Sequence, residues 1–261
     1  MDRSNIARIA KSEDDKILLA KIWDKINSAI SKNIPGNTCF LSPRDLEMTK
    51  YLFGAVDGLF SFGGYDHAER QMLVYLPGYM EQSYLYEDGS PLVCLRASFY
   101  EKETPTHRDF LGALMGAGIA RESVGDICVG NSSCDFFITA EVAPYILQNF
   151  ASAGRVKLRI SQIPLADFQP PAENILEITD TVASLRLDNI ISSGFKVSRN
   201  VAADFITSGR AAIDGLPCEK PDKTVEEMCK ISVRGLGKIK LHKKNGQTKK
   251  GRISIMIHRY V

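Results

Sequence analysis

Residues 184–235 read SLRLDNIISSGFKVSRNVAADFITSGRAAIDGLPCEKPDKTVEEMCKISVRG, and their spacing predicts two short helices followed by a small β unit. Leu187, Ile190 and Ile191 fall on one helical face, with Gly194 as the expected left-handed stop. Ser198 is placed to cap a second helix, whose Ala202, Phe205 and Ile206 point inward and which Gly209 ends. Ala211 to Ile213 then reads as a strand, Asp214-Gly215 as its turn, and Lys230 to Arg234 as a strand by apolar and polar alternation. Arg186, Lys196, Arg199 and Arg210 each lie near a predicted helix end, where a basic side chain and free backbone N–H groups can jointly hold a phosphate.

Downstream, Leu236 to Leu241 and Arg252 to Ile257 should pair as a hairpin around Asn245-Gly246, with Ile253, Ile255 and Ile257 on one face of the last strand. Residues 230–261 hold ten basic residues and no acidic one. A charge run is usually a solvated face, but the exclusion of acids from a whole β segment favours phosphate contact by Lys238, Lys240, Lys243 and Lys244, with Lys249 and Lys250 beside them.

The order Arg186-Leu187-Asp188, Ser198-Arg199, Gly209, Gly215 and a closing strand from Ile231 to Gly235 resembles the S4 RNA-binding domain. Two places depart from that pattern. Ala211-Ala212-Ile213-Asp214-Gly215 stands for its usual Val-x-Val-Asn-Gly, and Met228-Cys229 for its usual Gly-Asp. The resemblance implies that Arg186, Lys196, Ser198, Arg199 and Arg210 face RNA. The stretch carries only Phe195, Phe205 and Tyr260 as aromatic rings, which favours folded rRNA or tRNA over unstructured strands.

The net charge of +2 conceals an asymmetry, because residues 180–261 hold 16 Lys and Arg against 8 Asp and Glu, while residues 1–179 hold 17 against 23. The basic end is the nucleic-acid end. Six cysteines show no Cys-x-x-Cys pair and no zinc-finger spacing to a histidine, so no metal or other cofactor is expected and the thiols should be free and mostly buried. With no signal-peptide core and no apolar run near the ~20 residues of a membrane span, a cytoplasmic protein is expected.

The upstream chain reads as two further segments of an α+β protein. Residues 1–88 suggest an N-terminal α+β unit: a helix from Ser12 to Lys32, a loop from Asn33 to Leu41, a helix opened by Ser42-Pro43, and a hairpin around Gly63-Gly64. Residues 89–167 alternate as βαββαβ, a ferredoxin-like or RRM-like plait with Thr106 and Asp109 capping its first helix. Its second helix should run from Glu141 to Ala153 and its last strand from Val156 to Ile163. Phe136-Phe137 could present base-stacking rings, but adjacent strand residues face opposite sides and no RNP-like strand is present, so core packing is the stronger reading. Residues 166–174 read as a linker, and 175–261 as the C-terminal domain.

GGYDHAER (Gly63 to Arg70), THRDFLGALMGAGIARESVGDI (Thr106 to Ile127) and the later SLRLD resemble the YlmH family of bacterial S4-domain proteins over nearly the whole chain. The resemblance implies binding to the large ribosomal subunit with peptidyl-tRNA in the rescue of stalled nascent chains, and a link to cell division. The acidic residues 1–167 would engage a partner protein. An RNA-modifying enzyme, a pseudouridine synthase or rRNA methyltransferase using S4 for targeting, is the alternative. Those enzymes place S4 first, ahead of a large catalytic domain, whereas here it comes last behind two small segments without catalytic motifs. Asp66, His67 and Glu69 read as surface and packing, not as acid–base machinery.

Overall fold

The structure, a computed structural model, describes residues 3–87, 89–171, 174–248 and 251–260. It divides into two compact units, Met1–Pro171 and Ala172–Val261. None of the helices among the described residues is long and apolar enough to cross a membrane.

The first unit begins with α1 (Ile6–Ile9) and α2 (Glu13–Lys32). Ser12 opens α2 by accepting a hydrogen bond from the Asp15 N–H, and Leu19, Ile22, Trp23 and Ile26 form its buried stripe. Next come β1 (Gly36–Asn37) and α3 (Pro43–Phe53), the latter capped by Ser42. Asp15 is buried, and Arg44 grips it with two nitrogens at 2.8 and 2.7 Å. The chain then forms β2 (Leu59–Phe62) and β3 (Met72–Tyr75), the predicted hairpin. The stretch expected as a loop before Leu41 supplies β1, which pairs with β3. Gly36 permits this, since a Cβ there would lie 2.5 Å from that of Ala29 on α2.

The plait follows: β4 (Leu92–Ser98), α4 (His107–Gly116), β5 (Val124–Val129), β6 (Ser133–Thr139), α5 (Ala143–Asn149), β7 (Ser152–Ala153), β8 (Val156–Lys157) and β9 (Arg159–Ile163). The sheet order β5-β6-β4-β9, antiparallel throughout, is that of a ferredoxin-like fold. Thr106 and Asp109 cap α4 reciprocally. The second helix is shorter than its sequence suggests. Gly154, with φ +59°, turns β7 back on β8, which also splits the expected last strand.

Phe136 and Phe137 are both fully buried, on opposite faces of β6. Phe136 packs with Phe110, Leu114 and Ile146 under the helices. Phe137 packs on the other face with Phe40, Phe62, Met72, Leu85 and Phe168, so residues before 89 share a core with the plait and seal the face an RRM uses for bases. The Gly63–Arg70 segment is the fastening. Tyr65 stacks on Phe137 at 5.1 Å and donates to Asp126 at 2.7 Å, and the Glu69 and Arg70 N–H groups donate to the same carboxylate at 2.7 and 3.0 Å. Arg70 also donates to the carbonyls of Val124 and Phe40, and burial pushes it down to about 10. A Cβ on Gly64 would sit 2.5 Å from the Phe137 ring. Asp66, His67 and Glu69 remain exposed.

The second unit consists of β10 (Ile175–Val182), α6 (Leu187–Phe195), α7 (Arg199–Thr207), β11 (Ala211–Ile213), β12 (Leu216–Pro217), β13 (Lys230–Val233), β14 (Gly237–Gln247) and β15 (Ile253–Tyr260). The sheet runs β10-β15-β14-β13-β11-β12, and α6 and α7 cover one face over Ile231, Ile239, Leu241, Ile255 and Ile257. Gly194 is not the helix stop. It lies inside α6, where a Cβ would come 2.7 Å from Ile239, and Lys196 takes the left-handed cap at φ 57°. The long hairpin does not turn at Asn245-Gly246 either, because bulges beside Lys243 and Gly246 carry the pairing on to Gln247↔Ile253. The thiols are free, but only Cys94 and Cys134 are fully buried and Cys39 is exposed.

Candidate nucleic-acid interface

Arg186, at the N-cap of α6, and Arg199, the first residue of α7, converge on one carboxylate. Arg186 donates to the two Asp188 oxygens at 3.3 and 3.1 Å, and Arg199 donates to Oδ2 at 2.8 Å. The Asp188 side chain is 6% exposed, whereas the Arg186 and Arg199 side chains are 41% and 56% exposed. The acid is therefore the floor and the cations are the surface. Burial works against charge on Asp188, but the hydrogen bonds and positive charge of Arg186 and Arg199 outweigh it and hold the carboxyl below its ordinary range. Two guanidiniums on one carboxylate leave a net positive charge and unspent donors in a fixed orientation, a suitable arrangement for a phosphate.

The backbone contributes less than the sequence suggests. The N–H groups of Leu187 and Asp188 donate to the carbonyls of Lys223 and Pro221 at 2.8 and 3.1 Å, so the 218–229 loop closes the start of α6. At α7 the Ser198 Oγ accepts from the Val201 N–H at 3.2 Å, which makes it a helix cap whose own O–H can still donate. Lys196 is exposed and lines, with Asp180, Ser193, Arg199 and Arg252, a cleft of about 230 Å³. The Ser193 hydroxyl donates to Asp180 at 2.7 Å, and this bond leads the causes that hold the Asp180 carboxyl below its ordinary range. Arg252 donates to the Thr181 hydroxyl at 3.1 Å and to the Thr181 carbonyl, and no sequence motif marks it as part of this cleft.

Arg210 lies past the other end of α7, its guanidinium 4.0 Å from the centroid of the Phe205 ring and its Nε donating to Ser208 Oγ at 2.9 Å. Phe205 is thus half-buried, packed against the edge of the core on one side and covered by a cation on the other. The nine residues of α7 put about 13 Å between its ends, so Arg199 and Arg210 stand apart at opposite ends of the helix.

Lys238 and Lys240 alternate with the buried Ile239 and so occupy the sheet face turned away from the helices. Lys243 and Lys244 are exposed farther along β14, where the Lys244 N–H donates to the Glu227 carboxylate. The structure therefore brings Arg186, Lys196, Ser198 and Arg199 together and leaves Lys238 and Lys240 on the opposite face. Lys249 and Lys250 lie outside the described residues.

Comparison with known proteins gives two family matches: residues 99–167 to the domain described as "Putative RNA-binding domain in YlmH", and residues 185–229 to the S4 domain. A solved structure titled "Cell division protein ylmH from Streptococcus pneumoniae" is similar in fold, with a TM-score of 0.50 at 18% identity, covering 60% of this chain and 96% of that one. The "Ribosome-associated protein quality control protein P2" of Bacillus subtilis (strain 168) is 31% identical over 224 residues, 85% of this chain and 86% of the relative. On that identity across most of both sequences, together with the matched domains in their order, the chain belongs to the YlmH family of S4-domain RNA-binding proteins.

Proposed function

We propose that this protein is a non-enzymatic binder of structured rRNA and tRNA that acts in the cytoplasm on the large ribosomal subunit carrying peptidyl-tRNA, in the rescue of stalled nascent chains. The observation that carries the reading is the pair of half-exposed guanidiniums on one buried Asp188 carboxylate, a preorganised phosphate clamp on the S4 helices. Arg186, Lys196, Ser198, Arg199 and Arg210 are its phosphate contacts, with Lys238, Lys240, Lys243 and Lys244 adding cationic surface. The name of the Bacillus relative supports the ribosomal assignment, and that of the Streptococcus protein supports a link to cell division. Residues 1–88 and 89–167 act ahead of the RNA-binding residues 175–261, and their net negative charge suits them to position that domain or to engage a partner protein.

Sedimentation of a bacterial lysate at moderate salt tests this. The protein should travel with the 50S peak, and Arg199→Gln, which removes the cation without setting a like charge against Asp188, should shift it toward the ribosome-free fractions, with thermal melting checking that the variant is folded. Recovery of the unaltered chain only in ribosome-free fractions overturns the reading. Digests of rRNA and tRNA incubated with the protein, with and without S-adenosylmethionine, should show unchanged nucleosides; a modified nucleoside would replace the binder with an enzyme.

A further inference from the structure

The sheet of the second unit has a second charged face, turned away from α6 and α7. Lys230 stands opposite Lys240, and Lys240 opposite His258 in the next strand, so a basic row crosses β13, β14 and β15. Lys243 stands opposite Met256 in the neighbouring row. His242, carried at the bulge, stacks on His258 with ring centroids 4.0 Å apart and planes 13° from parallel, and its Nδ1 is buried without a hydrogen-bond partner. Among the described residues, Glu177 is the one acid at these outward strand positions, 3.5 Å from His258 Nε2.

Lysines directly opposite on neighbouring strands repel, so Lys230 and Lys240 cost stability unless an anion lies over them. Rings set among lysines are the composition of surfaces that hold a nucleic-acid strand, with phosphates on the cations and bases against the rings. An acidic protein segment would match the lysines but not the rings. The arginine clamp lies at the starts of α6 and α7, which cover the other face of the sheet, so a short hairpin held by Arg186 and Arg199 leaves this surface open.

We propose that the outer face of the sheet is a second RNA-binding surface, separate from the arginine clamp, that takes a single-stranded or loop segment on Lys230, Lys240 and Lys243 beside the His242–His258 stack. It rests on the RNA-binding reading above. The test uses the full chain with two fluorescent probes, a folded RNA hairpin and a short single-stranded oligonucleotide, and two variants, K230Q/K240Q/K243Q and R186Q/R199Q, each checked by thermal melting. The lysine variant should lose at least tenfold more affinity for the oligonucleotide than for the hairpin, the arginine variant should do the reverse, and saturating hairpin should leave the oligonucleotide bound. Unchanged oligonucleotide affinity in the lysine variant, one-for-one competition between the probes, or tighter binding of a poly-glutamate peptide than of the oligonucleotide overturns the second surface alone. Failure of the unaltered chain to bind either RNA overturns the underlying RNA-binding reading as well.

Discussion

The plait and the S4 sheet follow one plan, an antiparallel sheet with helices on one face, and they differ in what occupies the other. In the plait that face carries Phe137 and Cys94, sealed under Phe40, Phe62 and Phe168. In the S4 unit it carries Lys238, Lys240 and the paired imidazoles. A sheet face used as core cannot also receive bases, so the family's RNA assignment for residues 99–167 cannot run through the plait's sheet. The difference follows from single residues: Gly64 lets a backbone approach the Phe137 ring, whereas lysines at alternate positions of β14 exclude any apolar cover.

Breaking the seal should have the largest effect. Phe137→Ala should destabilise the first unit by about 3–5 kcal/mol in urea unfolding, since it opens a cavity among aromatic rings, and should leave RNA affinity unchanged. If it alters RNA affinity in chains that remain folded, the plait face is not merely core. Asp188→Ala should cost the S4 unit roughly 1–3 kcal/mol, below the figure for a fully buried ion pair because both guanidiniums stay half in water.

The same carboxylate makes a pH prediction. Its folded pKa is depressed, so its stabilisation is fully present above the unfolded value of about 3.9 and is lost as pH falls through the lower folded value. The stability gap between the unaltered protein and Asp188→Asn should therefore be constant from neutral pH down to about 5 and close below about 4. A gap that persists unchanged under strong acid would remove Asp188 as the source.

On the RNA side, Arg199→Gln should weaken hairpin binding by about tenfold and flatten the slope of log affinity against log salt by roughly 0.7–0.9. An unchanged slope would mean that Arg199 braces Asp188 without touching a phosphate. The smallest effect is expected at Met228, whose side chain is 54% exposed and whose φ is +68°. A non-glycine residue there costs about 1–2 kcal/mol, and glycine's greater freedom in the unfolded chain returns part of that, so Met228→Gly should stabilise by about 0.5–1 kcal/mol in the same unfolding assay.

Features set by near neighbours were legible in the sequence. Ser12, Ser42, Thr106 and Ser198 cap the helices they precede, and Arg186, Asp188 and Arg199 stand at spacings that two helix starts can bring together. Features set by distant partners were not. Gly194 resembles a stop until Ile239, 45 residues on, turns out to lie against it. Asn245-Gly246 resembles a turn until two bulges shift the register and carry the strands past it. The α6 start looks open to a phosphate until the Pro221 and Lys223 carbonyls fill it. The imidazole stack and Arg252 depend on which residues face each other across strands, a matter of pairing that a single segment does not encode.

The bulged hairpin has one more consequence. Past Leu241, β14 leaves the hydrophobic core and Lys243 to Gln247 are exposed, while their partner strand β15 keeps Ile255 in the core and is paired on its other side with β10. That stretch of β14 is held by pairing to β15 and by the Glu227 carboxylate on the Lys244 N–H, with no apolar side chain of its own in the core, so its amide hydrogens should exchange with deuterated solvent far faster than those of Ile239 and Ile257, which open only with the unit itself. An RNA that settles on that stretch must order it first. That entropy is lost at the moment of contact, and the resulting protection against exchange would trace how far along the hairpin the bound strand extends.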